Sequence, residues 1–313
     1  MSDHDDAEHG ASLDYLIAQE PAFTPTRFVD WSTFWRRDRV ADDWTFDDVL
    51  ARGRGHALYA SHKTGKSLLM LYIAAVVAKR PGNVVVYLDY EMGEDDLHER
   101  LVDMGYGPAD DLSRLRYALL PSLPPLDTPE GARALDELLD IVQGQHPGEH
   151  LTVILDTTGR AVQGDEDKAD TIRSFYRWTG IGLKRRGATW ARLDHAGKDA
   201  SKGQRGTSAK GDDVDVVWRV VRDDTGLTLR RDASRMSWVP ERVAFLRLDE
   251  PLRYVRAVVA WPAGTAECAA DLTALAVPID ASSTTAIAAL RDANKARRKA
   301  VVLAALKYRK EAA

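Results

Sequence analysis

The stretch Leu58–Ser67, Leu-Tyr-Ala-Ser-His-Lys-Thr-Gly-Lys-Ser, constrains the fold of this chain more than any other. The apolar run from His56 to Ala60 leads into it like a buried strand, and a helix-like apolar run from Leu68 to Val77 follows. Strand, tight loop ending in Gly-Lys-Ser, then helix is the context in which such a loop cradles phosphate. Backbone N–H groups at a helix start carry partial positive charge and have no partner inside the helix; a triphosphate supplies the acceptors. Ser61, His62, Lys63, Thr64 and Gly65 form the loop, Lys66 is placed to reach the β- and γ-phosphates, and the Ser67 hydroxyl is placed to sit on Mg²⁺. ATP and Mg²⁺ are therefore the expected ligands. Two positions depart from the usual pattern. Ala60 stands where glycine is common and is tolerable if its φ stays negative, and Lys63 stands where small residues are common and is expected to point to water.

A chain of 313 residues holds one good-sized core plus appendages. Nothing approaches the ~18 consecutive apolar residues of a membrane span, so no membrane is expected as a partner. The start, Met1-Ser2-Asp3-His4-Asp5-Asp6, lacks the basic-then-apolar layout of a signal peptide. Cys268 is the sole cysteine, which excludes an intrachain disulfide and points to a reducing cytoplasm. The net charge of −5 argues against a general nucleic-acid glue, but the charge is unevenly placed. Asp3, Asp5, Asp6, Glu8, Asp14 and Glu20 precede the first cation, Arg27, whereas Arg291, Lys295, Arg297, Arg298, Lys299, Lys307, Arg309 and Lys310 dominate the other end. These ends read either as local anion-binding arms or as plain solvated termini.

Three regions follow from the composition along the chain. Residues 1–43 form an acidic arm whose Trp31, Phe34 and Trp35 need a surface to bury against. Residues 44–262 alternate strand-like and helix-like runs, and residues 263–313 form a basic helical tail. Thr45 to Asp48 reads as a helix start, with Thr45 as its cap. Val84–Glu91, Leu115–Leu120, Leu151–Asp156 and Ala188–Asp194 read as strands, and Asp95–Met104 as a helix. A helix opening at Thr128-Pro129 carries a buried stripe of Leu135, Leu138, Leu139 and Val142, and another helix spans Ala169–Arg186. Val214–Val221, Leu227–Arg231, Val243–Leu248 and Tyr254–Ala260 read as antiparallel strands, and Asp271–Ala276, Ser283–Ala293 and Arg298–Lys310 as helices. The fold class is α/β, with a mixed, mainly parallel central sheet, C-terminal hairpins and a small helical tail.

Hydrolysis needs a metal ligand, a base and charge neutralisation besides the loop. Asp156, closing an apolar strand, suits the Mg²⁺ carboxylate; Glu91, closing the strand next in sequence after the loop, suits a base for water; His195 closes a further strand. The sequence His146-Pro147-Gly148-Glu149-His150 spells a zinc-protease pattern, but Pro147 and Gly148 break the helix that chemistry requires. Asp212, Asp213 and Asp215 are separated by strand alternation and are not expected to form a metal cluster.

Together these elements resemble the RecA-like P-loop ATPases, in particular the branch containing RepA- and DnaB-type hexameric helicases and phage-encoded ATPases. The resemblance covers roughly Trp44 to Arg256. Tyr87–Met92 is similar to that family's strand ending in the catalytic glutamate, Thr152–Asp156 to its Mg²⁺ strand, and Asp194–Asp199 to its sensor motif. Gln204–Ala209 followed by Val214–Val217 resembles the return from its DNA-facing loop. The resemblance implies catalytic roles for Lys66, Glu91 and His195, and single-stranded DNA contact through Lys198, Lys202, Arg205 and Lys210. It implies a trans-acting arginine finger, Arg235 or else Arg231, and a homo-oligomer, as in hexameric rings. The implied activity is that of an ATP-dependent DNA helicase or translocase of replication or recombination. A recombinase or mediator that binds DNA without unwinding it, and a nucleotide-gated assembly ATPase with no DNA role, remain alternatives. The tail reads as a helix-turn-helix-like DNA contact or as a packing arm.

Overall fold

The computed structural model describes residues 28–36, 43–196, 209–222, 226–257 and 264–311. The chain divides into two compact units, Met1–Ala41 and Asp42–Ala313. In the first, helix α1 (Trp31–Phe34) is capped by the Asp30 carboxylate, which accepts from Ser32 N. Trp31, Phe34 and Trp35 pack against one another and stay exposed.

The second unit is built on one sheet of nine strands. Its members are β3 (Gly55–Ala60), β4 (Asn83–Asp89), β5 (Leu115–Leu119), β6 (His150–Asp156), β7 (Thr189–His195), β8 (Val216–Arg222), β9 (Gly226–Ser234), β10 (Arg242–Asp249) and β11 (Leu252–Arg256). The spatial order is β11-β10-β9-β8-β3-β7-β6-β4-β5. From β8 to β5 all neighbours are parallel, and from β8 outward through β9, β10 and β11 all are antiparallel. Every residue of β3 and β4 is buried, the pattern of parallel strands covered on both faces.

Helix α2 (Lys66–Lys79) covers one face, where Leu58, Tyr87, Ile154, Leu193 and Trp218 meet Leu69, Met70 and Ile73. The other face packs Val84, Val86, Val153 and Leu155 against α4 (Pro129–Gln145) through Leu135, Leu139 and Val142. Thr128 caps α4 by accepting from Gly131 N, with Pro129 at the first turn, where its missing N–H costs nothing. Helix α3 (Glu94–Asp103) follows β4 and puts Glu94, Asp95 and Asp96 in its first turn, where the helix dipole favours negative charge. Gly226 opens β9 because a Cβ there would lie 2.0 Å from the Phe245 carbonyl oxygen of β10.

After β6 come α5 (Thr158–Ala161), α6 (Ala169–Phe175) and α7 (Ile181–Arg185). The helix expected across 169–186 is thus α6 and α7 joined by a π turn at Tyr176–Gly180. Helix α8 (Ala209–Asp212) precedes β8. The tail, α9 (Thr265–Ala274), α10 (Ser283–Asp292) and α11 (Lys299–Glu311), has its own small core of Cys268, Leu272, Ala286, Leu290, Val302 and Ala305.

One expected element is replaced. Instead of a helix from Thr45, the chain forms a hairpin of β1 (Trp44–Phe46) and β2 (Leu50–Ala51), with Asp48 at φ 65° in its turn. Val49, Leu50 and Ala51 are fully buried, and Trp218 Nε1 donates to the Val49 carbonyl at 3.0 Å. Burial against the sheet outweighs the local cap signal. Boundaries also move: β4 ends at Asp89 rather than Glu91, β11 begins at Leu252 rather than Tyr254, and α9 begins at Thr265 rather than Asp271; residues 258–260 of the last expected strand lie outside the described residues. Among the described residues no helix is long and apolar enough to cross a membrane.

Candidate active site

The carboxyl ends of β3, β4, β6 and β7 converge on the loop before α2, because the parallel order β3-β7-β6-β4 brings those strand ends side by side. Ala60 keeps a negative φ, so the substitution at the first loop position causes no strain. Gly65 takes φ 100°, a conformation that glycine adopts freely, and starts α2 with its first N–H groups turned into the loop. Lys63 also takes a left-handed φ, 60°, and its side chain is exposed. Ser61, His62 and Lys63 form the exposed rim, and Thr64 folds the loop by donating from Oγ1 to the Ser61 carbonyl at 2.7 Å.

Lys66 is buried, and its Nζ donates to the Asp194 carbonyl of β7 at 3.1 Å. Burial pushes the Lys66 ammonium below its usual pKa, opposed by the charges of Asp156, Asp194, Glu91 and Glu166. Ser67 Oγ donates to Asp156 Oδ1 at 3.1 Å, and Tyr87 Oη donates to Asp156 Oδ2 at 2.7 Å. Burial raises the Asp156 carboxyl above the usual range, while Lys66 and the two hydroxyls pull it back. An adjacent hydroxyl and carboxylate suit a hard cation that takes its other oxygens from water and phosphate. Among the described residues no group of three or more His, Cys, Asp or Glu side chains is arranged to hold a metal by itself.

Glu91 lies just past β4, where Asp89 places it. Asp89 is buried, its Oδ1 accepts from Glu91 N at 2.8 Å and Met92 N at 3.0 Å, and Tyr117 Oη donates to its Oδ2 at 2.5 Å. Thr157 Oγ1 and Arg160 Nε donate to Glu91 Oε1 at 3.2 and 3.3 Å. Tyr90 N donates to the Asp156 carbonyl at 2.7 Å and ties the ends of β4 and β6 together. His195 closes β7, and its ring stacks on His62 of the loop with centroids 4.3 Å apart. Burial lowers the His195 pKa, helped by the nearby Lys66 charge and by His62.

The structure therefore brings Lys66, Ser67, Glu91, Asp156 and His195 into one cluster. It holds the two arginine-finger candidates elsewhere. Arg235 lies at the amino ends of the parallel strands: its N–H donates to the Asp215 carbonyl, and Asp215 N donates to the carbonyl of Gly55, the first residue of β3. Its guanidinium donates to the Asp212 carbonyl and lies 3.9 Å from Asp215. Arg231 donates to the Val239 carbonyl and lies 4.0 Å from Glu241. Of the expected DNA-contact residues, Lys198, Lys202 and Arg205 lie outside the described residues, and Lys210 sits in α8.

The rejected metal patterns are accounted for by other contacts. Glu149 accepts from Arg114 Nε at 2.7 Å, and His150 Nε2 shares a hydrogen bond with Thr189 Oγ1 at 2.8 Å. Asp213 pairs with Arg192 at 2.6 Å, and Asp215 pairs with Lys184 at 3.2 Å. The sequence reading missed Tyr87, Thr157, Arg160 and Glu166. Thr157-Thr158-Gly159-Arg160 directly after the Asp156 strand was the available signal, since residues just beyond such a strand end face the loop.

A doubly covered parallel sheet, a Gly-Lys-Ser loop at its carboxyl edge and a hydroxyl–carboxylate pair beside that loop define a P-loop ATPase. A family model described as an AAA domain matches residues 22–201, more than half of the chain. The chain belongs to that family of nucleotide-dependent ATP hydrolases. No curated protein matches it.

Proposed function

We propose that this ATPase is a RecA-like ring motor of the RepA/DnaB type that acts on single-stranded DNA, as a helicase or translocase of replication or recombination. The observation that carries the reading is the position of β7. It lies between the strand of the phosphate loop and the strand of Asp156, ends in His195 against His62, and runs directly into a segment rich in Gly, Lys and Arg. A group that touches the nucleotide site thus adjoins the segment whose cations suit a phosphate backbone.

In this reading ATP lies along the loop. Ser67 and Asp156 would hold Mg²⁺, which when bound neutralises charge on the phosphates. Water attacks the γ-phosphorus, the bond from that phosphorus to the bridging oxygen breaks with its electrons left on ADP, and Glu91 accepts the water's proton. Lys66 balances the charge. Arg235, or Arg231, completes the site from a neighbouring copy, since β3 puts the length of a strand, ~17 Å, between Arg235 and its own loop. A closed homo-oligomer, a hexamer in this reading, supplies that neighbour.

The test is ATP turnover with and without single-stranded DNA, together with the mass in solution. Stimulation by DNA, loss of turnover in Lys66→Ala and Glu91→Gln, and recovery on mixing Arg235→Ala with Lys66→Ala protein support the reading. Turnover indifferent to DNA points instead to an assembly ATPase.

A further inference from the structure

Two donors converge on one oxygen of Glu91: Thr157 Oγ1 at 3.2 Å and Arg160 Nε at 3.3 Å both reach Oε1. Among the described residues nothing donates to Oε2. A carboxylate held in this way presents one fixed oxygen to its substrate.

The chain builds this arrangement locally. Helix α5 starts directly beyond Asp156, and Arg160 N donates to the Thr157 carbonyl at 3.2 Å. On its other side α5 packs against the acidic loop, since a Cβ on Gly159 would come within 2.8 Å of the Glu166 carboxylate. Arg160 therefore sits in the cluster whose carboxylates, Asp156, Glu91 and Glu166, act on Lys66.

The Arg160 side chain is 65% exposed. An exposed ion pair adds little to folding, so stability does not explain why an arginine stands here. Its Nη1 and Nη2 make no hydrogen bond among the described residues. Guanidinium carries five N–H donors in a planar fork and stays charged at all working pH values, so one edge holds a carboxylate while the other takes a phosphoryl oxygen. A lysine provides the charge without the fork.

We propose that Arg160 positions Glu91 through Oε1 and takes an oxygen of the terminal phosphate on its free nitrogens, so that the base is aligned only on a triphosphate. The inference rests on Glu91 as the base in the proposed hydrolysis. Arg160 gains and loses no proton; the water's proton goes to Glu91 Oε2 as the bond to the leaving ADP breaks.

The experiment uses the full chain and the variants Arg160→Ala, Arg160→Lys, Glu91→Gln and the double variant of Arg160→Ala with Glu91→Gln. It measures kcat and KM for ATP, the Tm, and the affinities of a non-hydrolysable ATP analogue and of ADP. Arg160→Ala is expected to lower kcat about 100-fold and to raise KM for ATP about 10-fold. Its preference for the analogue over ADP falls about 10-fold, since a charge-assisted hydrogen bond to phosphate is lost. Arg160→Lys recovers about 10-fold of the kcat, and Tm stays within about 2 °C. In the Glu91→Gln background, Arg160→Ala lowers the residual turnover by less than about 3-fold, because groups acting as a unit are not additive. A kcat near that of the parent in Arg160→Ala, an undiminished effect without Glu91, or a fall in Tm beyond about 5 °C overturns the role of the arginine. Parent-like turnover in Glu91→Gln overturns the base assignment instead, and with it the premise.

Discussion

In the parallel half of the sheet, β3 and β4 are buried from end to end, whereas β10 in the antiparallel wing puts Val243 and Phe245 inside and Arg242, Leu246 and Leu248 outside. The difference comes from covering. Helices lie on both faces of the parallel half, and among the described residues one face of the wing stays exposed at Leu246, Leu248 and Val255. Charges follow the same division. Inside the parallel half, Arg192 is fully buried and held by Asp194 at 3.0 Å and Asp213 at 2.6 Å. Burial opposes its charge, yet the two carboxylates keep its pKa above the ordinary value, while burial raises the Asp213 carboxyl despite the guanidinium beside it. On the wing, Arg219, Arg230 and Arg242 stand in register on three neighbouring strands. They line a cleft of about 550 Å³ with Asp232 and Glu241. Like charges directly opposite one another cost stability and are tolerable only where water reaches them.

The largest test of this contrast is at the seam. Trp218 of β8 is fully buried and bonded to the Val49 carbonyl, so Trp218→Ala is expected to cost about 4 kcal/mol in urea unfolding. A cost under about 1 kcal/mol would break the contrast.

Next is a pH effect confined to the parallel half. His56 is fully buried, accepts at Nε2 from Ala51 N at 3.0 Å, and is lowered by burial to a pKa of about 4 from 6.5. Above pH 6.5 both folded and unfolded chains carry it neutral. As the pH falls from 6.5 towards 4, only the unfolded chain takes up the proton, so stability declines by roughly 3 kcal/mol and levels off below that. His56→Gln should reduce the slope between pH 6.5 and 4 in urea titrations without abolishing it, because burial lowers His150 of β6 to about 4 as well.

A smaller effect is expected beside the site. Tyr87→Phe removes one hydrogen bond to Asp156 and should cost about 1 kcal/mol while leaving the fold intact. The smallest is on the open face of the wing, where Leu248→Ala should change stability by less than about 0.5 kcal/mol. A larger loss there would mean that the face is covered in solution, and comparing urea curves at two protein concentrations would reveal such a cover.

Much of this was legible in the residues. The loop from Ser61 to Ser67, the strand ends at Asp156 and His195 and the stripe of α4 all follow from period and turn chemistry, which are local. Glu91 was legible by position but not its support, because Tyr117, Thr157 and Arg160 reach it, or the neighbouring Asp89 that holds its N–H, from distant segments. The β1–β2 hairpin was not legible. Thr45 and Asp48 carry a helix-cap signal, and only the packing of Val49 and Leu50 under Trp218 decides against it. The strand order was hidden too, since the crossovers that place β7 between β3 and β6 leave no mark on their sequences.

That order has a mechanical consequence. The phosphate loop and Asp156 are mounted on strands that never touch; β7 is the spacer joined to both through hydrogen-bonded ladders. Any ligand that spreads or draws together the two mounts pulls on the spacer, whose last residue, His195, is paired with Ala60 and stacked on His62 of the loop. In the proposed motor, that spacer would register how wide the mouth of the sheet stands.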